Sequence, residues 1–187
     1  MTGMPVPDRY VALLRGINVG KAKRIAMADL RALVADLGYG EVSTLLNSGN
    51  VVFTAPGADP DDAAARIEDA LPERTGVSSR VVVLTAREIG KAVDRNPWRH
   101  EVLDPSRLLV TVLYDPADRR KLEPLMDQDW GTDRLALAGR YAYVWCPDGI
   151  LPSKLPEAAS KALRDAATSR NWGTMLKLHA LVHRSTS

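Results

Sequence analysis

Two segments far apart in the chain combine glycine, amide side chains and cations, the ingredients of an anion-binding site. The first is Arg15-Gly16-Ile17-Asn18-Val19-Gly20-Lys21. The second is Arg170-Asn171-Trp172-Gly173-Thr174, with Lys177 close behind. A glycine-containing turn or a helix N-terminus can aim backbone N–H groups at a phosphate. Arginine adds a planar fork suited to phosphate or carboxylate. From Arg9 to Ala28 the cations Arg9, Arg15, Lys21, Lys23 and Arg24 meet no acid. From Ile150 to Ser187 six cations, Lys154 among them, face only Glu157 and Asp165. Asn47, Ser48 and Asn50 add short polar groups on one predicted turn. The expected ligand-binding set is therefore Arg15, Asn18, Lys21, Asn47, Ser48, Asn50, Lys154, Arg170, Asn171 and Lys177, on condition that the two basic segments converge.

Each motif also has a plainer reading. Gly16 to Lys21 is no Walker A loop, because three residues separate the glycines and Ala22 follows the lysine. It also fails the dinucleotide fingerprint, so it can equally be a turn that needs two flexible residues. Asn47, Ser48 and Asn50 can satisfy their own turn backbone. Ser153 beside Lys154 suggests a lysine-activated serine, but adjacent side chains diverge, and Ser153 reads better as a helix-start residue. His179 and His183 are four apart, a spacing that can bind metal. No glutamate stands beside His179 and no third ligand is identifiable, so no metal site and no cofactor is expected. Trp172 falls on a core stripe with Met175, Leu178, Leu181 and Val182. No nucleophile or general base stands out, and catalytic residues are not identified.

The elements that must position these groups follow from patterning. Of the 187 residues, 45% are hydrophobic and 26% charged, ordinary for a globular chain, and the formal net charge is only +2. The longest apolar runs, such as Leu108 to Leu113, are too short to cross a bilayer. No apolar signal segment follows the N-terminus, and Cys146, the only cysteine, can form no internal disulfide. A cytoplasmic protein with a structural thiol is expected. Residues 1 to 8 read as a loose tail. Strands are predicted at Arg9 to Arg15, Glu41 to Leu46, Val51 to Thr54 and Arg80 to Leu84, with a tight hairpin at Asn47 to Asn50. Helices are predicted from Met27 to Leu37, from Asp59, where acids occupy the first turn, and from Thr85, where Glu88 completes a capping box, to about Arg95. From Asp59 to Glu73 six acids oppose Arg66 alone.

The order then begins again. Arg107 to Tyr114, Arg134 to Ala138 and Tyr141 to Cys146 read as strands. Asp115 to Asp129, Glu157 to Thr168 and about Trp172 to Arg184 read as helices. Strand–helix–strand–strand–helix in each half is the split βαβ arrangement. The fold class is therefore α+β: two packed ferredoxin-like units, 9–95 and 96–187, countable as two domains or as one. The second is expected to be incomplete, lacking its closing strand, and to be followed by C-terminal helices.

Residues 9 to 53, RYVALLRGINVGKAKRIAMADLRALVADLGYGEVSTLLNSGNVVF, resemble the bacterial family called domain of unknown function 1697. That pattern is a strand, RGINVGG, a helix beginning near MAxLR, and a strand ending in an SGN turn. Asn96-Pro97, Ser153-Lys154-Leu155 and RNWGTMLKL from Arg170 to Leu178 extend the similarity to about residue 183. Lys21 stands where a second glycine is usual, and Asn47 where glutamine is frequent. The resemblance implies the paired ferredoxin-like fold and no activity. The leading functional expectation is a binding module for a phosphorylated small molecule or a nucleic-acid backbone. The alternatives are an enzyme acting on a small anionic metabolite, and a protein–protein scaffold in which a basic surface meets an acidic one. No membrane partner is expected, and the oligomeric state is open.

Overall fold

A computed structural model describes residues 8–184, which form two compact units. One unit holds the described residues up to Ile89 and those from Leu178 onward; the other is Gly90–Lys177. The tail expected over residues 1 to 8 lies, apart from Asp8, outside the described residues.

In the first unit β1 (Arg9–Leu14), β2 (Gly40–Leu45), β3 (Asn50–Thr54) and β4 (Val81–Thr85) form an antiparallel sheet in the order β2-β3-β1-β4. Helix α1 (Met27–Asp36) joins β1 to β2, and α2 (Pro60–Thr75) joins β3 to β4. One sheet face, with Tyr10, Ala12, Leu14, Val51, Phe53, Val81 and Val83, packs with Leu30, Leu33 and Val34 of α1 and Ala63, Ile67 and Leu71 of α2. Val11, Leu13, Val52, Val82 and Leu84 alternate with these and are no more than 5% exposed. Burial on both faces explains why β1, β3 and β4 read as continuous apolar runs without alternation. Asp59 caps α2, its Oδ1 accepting from the N–H groups of Asp61 (2.9 Å) and Asp62 (3.1 Å). Helix α3 (Ala86–Asp94) starts with the predicted capping box: Thr85 Oγ1 accepts from the Glu88 N–H at 3.1 Å, and Glu88 Oε2 accepts from the Thr85 N–H at 2.9 Å.

The second unit repeats the topology. Strands β5 (Leu108–Leu113), β6 (Arg134–Ala138), β7 (Tyr141–Trp145) and β8 (Ala167–Asn171) pair antiparallel in the order β6-β7-β5-β8. Both units are thus ferredoxin-like. Two expectations need correction. The helix predicted from Asp115 to Asp129 is a 3₁₀ stretch, Pro116–Lys121, followed by one turn, α4 (Glu123–Met126). Pro124 has no N–H to donate and its ring crowds the carbonyl four residues back, which favours starting a new helical turn there over continuing one. The second unit is not incomplete: α5 (Leu155–Leu163) stops early, at Arg164 with φ +54°, and β8 closes the sheet beside β5. A last helix, α6 (Trp172–Val182), follows β8 directly; Asn171 caps it, Oδ1 accepting from the Thr174 N–H at 2.8 Å.

Candidate functional site

In the first unit the two motif segments interlock. Asn18, at φ +54°, donates from Nδ2 to the carbonyl of Ile25 (2.9 Å) and to that of Asn47 (2.7 Å), while its Oδ1 accepts from the Ile25 N–H (2.9 Å). One side chain therefore closes the loop between β1 and α1 and ties it to the β2–β3 turn. The turn answers from the other side. The Leu14 N–H donates to the Gly49 carbonyl at 2.9 Å, and Ile17, 2% exposed, lies beneath the turn. Gly49 has φ +82°, and a Cβ there would come within 2.8 Å of both Ile17 Cδ1 and Leu14 Cβ. Only glycine fits that backbone and that gap. Asn50, fully buried, donates from Nδ2 to the Leu45 carbonyl and to Ser48 Oγ, both at 2.9 Å. Sequence reasoning missed Ser79, which is buried, accepts from the Arg15 N–H at 3.0 Å and donates to the Arg15 carbonyl at 2.8 Å. Nothing in its local sequence marks it, since the contact spans 64 residues.

This clasp holds a cationic rim. Lys21, Lys23 and Arg24 are exposed, and among the described residues no acid pairs with any of them. Arg15 is half-buried and Asn47 and Ser48 are exposed. An open depression of about 310 Å³ lies between loop and turn, lined by Asn18, Arg24, Ile25, Ala26, Met27 and Asn47. Part of its lining, Ala26 and Met27, is the start of α1, where Ala26 occupies the cap position and no side chain caps the helix. The helix start, with its partial positive charge, therefore borders the depression.

The remaining predicted residues lie in the second unit, in three different settings. Lys154 borders an open depression of about 500 Å³ whose other charged groups are Asp129, Asp133 and Asp148, so its surroundings are acidic. Ser153 is not the helix cap. Its Oγ donates to the Gly149 carbonyl (2.7 Å) and lies 3.2 Å from Asp133 Oδ1, while Lys154 holds the cap position. Arg170 is only 8% exposed, its Nη1 donating to Thr168 Oγ1 and to the Ser169 carbonyl, both at 2.9 Å. Desolvation by burial lowers its pKa to about 10, which leaves it charged at neutral pH. Asn171 serves the helix start, and Lys177 is exposed on α6. The structure thus brings together Asn18 with Asn47, and Ser48 with Asn50. Cys146 is fully buried, and burial pushes its thiol up to about 11, so it is held as the neutral thiol and is no nucleophile at neutral pH. Among the described residues no helix is long and apolar enough to cross a membrane.

Comparison with known proteins agrees with this architecture. A conserved bacterial protein of Streptococcus pneumoniae, SP0830, superposes with a TM-score of 0.71 over 94% of this chain and 98% of its own, at 20% sequence identity, a likeness of fold. No curated protein matches the chain. The family model described as protein of unknown function (DUF1697) matches residues 8–143, which takes in the whole Asn18–Gly49 clasp. The chain belongs to that family.

Proposed function

We propose that the first unit is a binding module for a phosphate-bearing ligand, seated in the depression between the β1–α1 loop and the β2–β3 turn. One observation carries this reading: a loop locked by the three hydrogen bonds of Asn18 presents Lys21, Lys23 and Arg24, paired with no acid among the described residues, near the start of a ten-residue helix that no side chain caps. Locking the loop in advance reduces the entropy lost on binding. Arg24, which lines the depression, supplies the bidentate contact, and the N–H groups at the start of α1 supply neutral donors. Lys21 and Lys23 steer the anion, and Arg15 adds charge from behind. Asn18, Asn47, Ser48 and Asn50 act as the frame. A depression of this volume admits a phosphorylated metabolite or one nucleotide of a strand, and the exposed lysines suit a continuing phosphate backbone. A reducing, cytoplasmic setting fits the lone buried thiol of Cys146.

Calorimetry with pyrophosphate and with a short single-stranded RNA, both at 50 mM salt, separates the two ligands. Binding to either supports the module, and the one bound more tightly names the class. Arg24→Ala is expected to weaken binding about tenfold, the worth of one charge-assisted hydrogen bond. Asp29→Asn, which removes the acid in the first turn of α1, is expected to tighten it slightly. For RNA held by about three phosphate contacts, the salt slope is about −2. No binding of either probe, or binding that Arg24→Ala leaves intact, ends the proposal.

A further inference from the structure

We infer that His179 and His183 form a bidentate site for a divalent late-transition ion, with Cu²⁺ held most tightly and Ni²⁺ and Zn²⁺ next. The spacing alone shows two histidines on one helix face; the placement of the rings adds the rest. Their centroids are 4.4 Å apart and their planes tilt by 41°, so the two imidazoles are direct neighbours. Nδ1 of His183 lies 2.9 Å from the His179 carbonyl. With its proton on Nδ1 donated to that carbonyl, His183 keeps the lone pair on Nε2 for an ion. This is how backbone carbonyls fix the tautomer of ligating histidines. His183 is exposed and His179 half-buried, so an ion can reach the pair from solvent. The helix end is held in place: Arg9 Nη1 donates to the carbonyls of Leu181 (3.2 Å) and Arg184 (2.6 Å). The pair also lies at the C-terminal, partially negative end of α6, which favours a cation. Imidazole suits Cu²⁺, Ni²⁺ and Zn²⁺, and copper leads in affinity. Among the described residues no group of three or more His, Cys, Asp or Glu is placed to hold a metal, so water completes the coordination.

The test is calorimetric titration of the untagged full chain with Ni²⁺ alone and with Cu²⁺ alone. One equivalent is expected to bind, Cu²⁺ more tightly. Losing even an outer-shell partner of a metal ligand costs about 10–100-fold in affinity, so His183→Ala and His179→Gln are each expected to weaken binding at least tenfold. His100→Ala, at a histidine whose neighbour is Arg99, is expected to bind as the native chain does. Because His183 is exposed, its variant keeps the fold. No binding, undiminished binding by His183→Ala, or loss of binding in His100→Ala overturns the site.

Discussion

The two units solve one topological problem with different loops. In each, the last residue of the first strand donates to the following hairpin turn: Leu14 N–H to the Gly49 carbonyl, Leu113 N–H to the Arg140 carbonyl, both at 2.9 Å. In each, the next residue donates to the residue just before the fourth strand or its neighbour: Arg15 to Arg80 and Tyr114 to Ala166, both at 3.0 Å. The frames match, but what hangs from them does not. The first unit leaves β1 through the long loop from Arg15 to Ala26 and turns between β2 and β3 over Leu46 to Gly49. The second passes from β5 through Tyr114 and Asp115 straight into its 3₁₀ stretch, and turns over Gly139 and Arg140. The Arg140 side chain braces that turn, Nη2 donating to the Leu113 carbonyl at 3.0 Å and Nε at 3.2 Å. A ferredoxin-like sheet therefore closes without a long basic loop. Lys21, Lys23 and Arg24 are additions to the frame, and that is the ground for giving them a ligand.

The comparison breaks most sharply at the turn glycines. Gly49→Ala places a Cβ against Leu14 and Ile17 at a positive φ, combining backbone strain with overpacking. A loss of about 3 kcal/mol is expected in denaturant unfolding. Gly139→Ala also has a positive φ, but its Cβ meets only Nη1 of Arg95, the movable end of a long side chain. About 1 kcal/mol is expected there. Equal costs would show that the two turns are equally tight and remove the distinction.

Next come the braces. Asn18→Ala deletes three hydrogen bonds to backbone groups, and about 2 kcal/mol is expected, at roughly 1 kcal/mol or less for each. In the native protein, protection of the Ile25 amide against hydrogen exchange should exceed that in the variant, because Asn18 Oδ1 is its acceptor. Unchanged protection would mean that the loop holds itself. The smallest effect is at the helix starts. Asp59→Ala removes the acceptor for two N–H groups of α2 and should cost about 1 kcal/mol by thermal unfolding. Lys154→Ala should be near neutral, since α5 has no side-chain cap to lose.

The sequence reading succeeded where local chemistry decides. β1 and β4, the helix start at Asp59 and the Thr85–Glu88 box are each written in a few adjacent residues. It failed where distance decides. β8 has the composition Ala-Thr-Ser-Arg-Asn, with no apolar alternation, and becomes a strand only because β5 offers a free edge. α5 ends at Arg164 against its helical propensity, so that the chain can reach that edge in time. The candidate site was half legible. Clustered cations show in any reading of charge. The saturation of Asn18 did not, because it depends on the approach of Ile25 and Asn47, and the same side chain would serve equally well as a ligand contact in an open loop. Arg170, expected as a ligand contact near a helix N-terminus, sits in a strand beside Val110, where its guanidinium donates to Thr168 and the backbone.

One edge strand of the first sheet, β2, carries one more lesson. Between Gly40 and Ser43 the pairing of β2 with β3 slips, and Glu41 takes φ +46°. The donors and acceptors on the outer rim are thereby thrown out of step, and an extended chain laid alongside finds no regular ladder to join. On the second sheet β6 pairs with β7 in unbroken register from Arg134 to Ala138 and keeps its outer rim regular. Of these two edge strands, only β6 offers an added extended chain an in-step ladder.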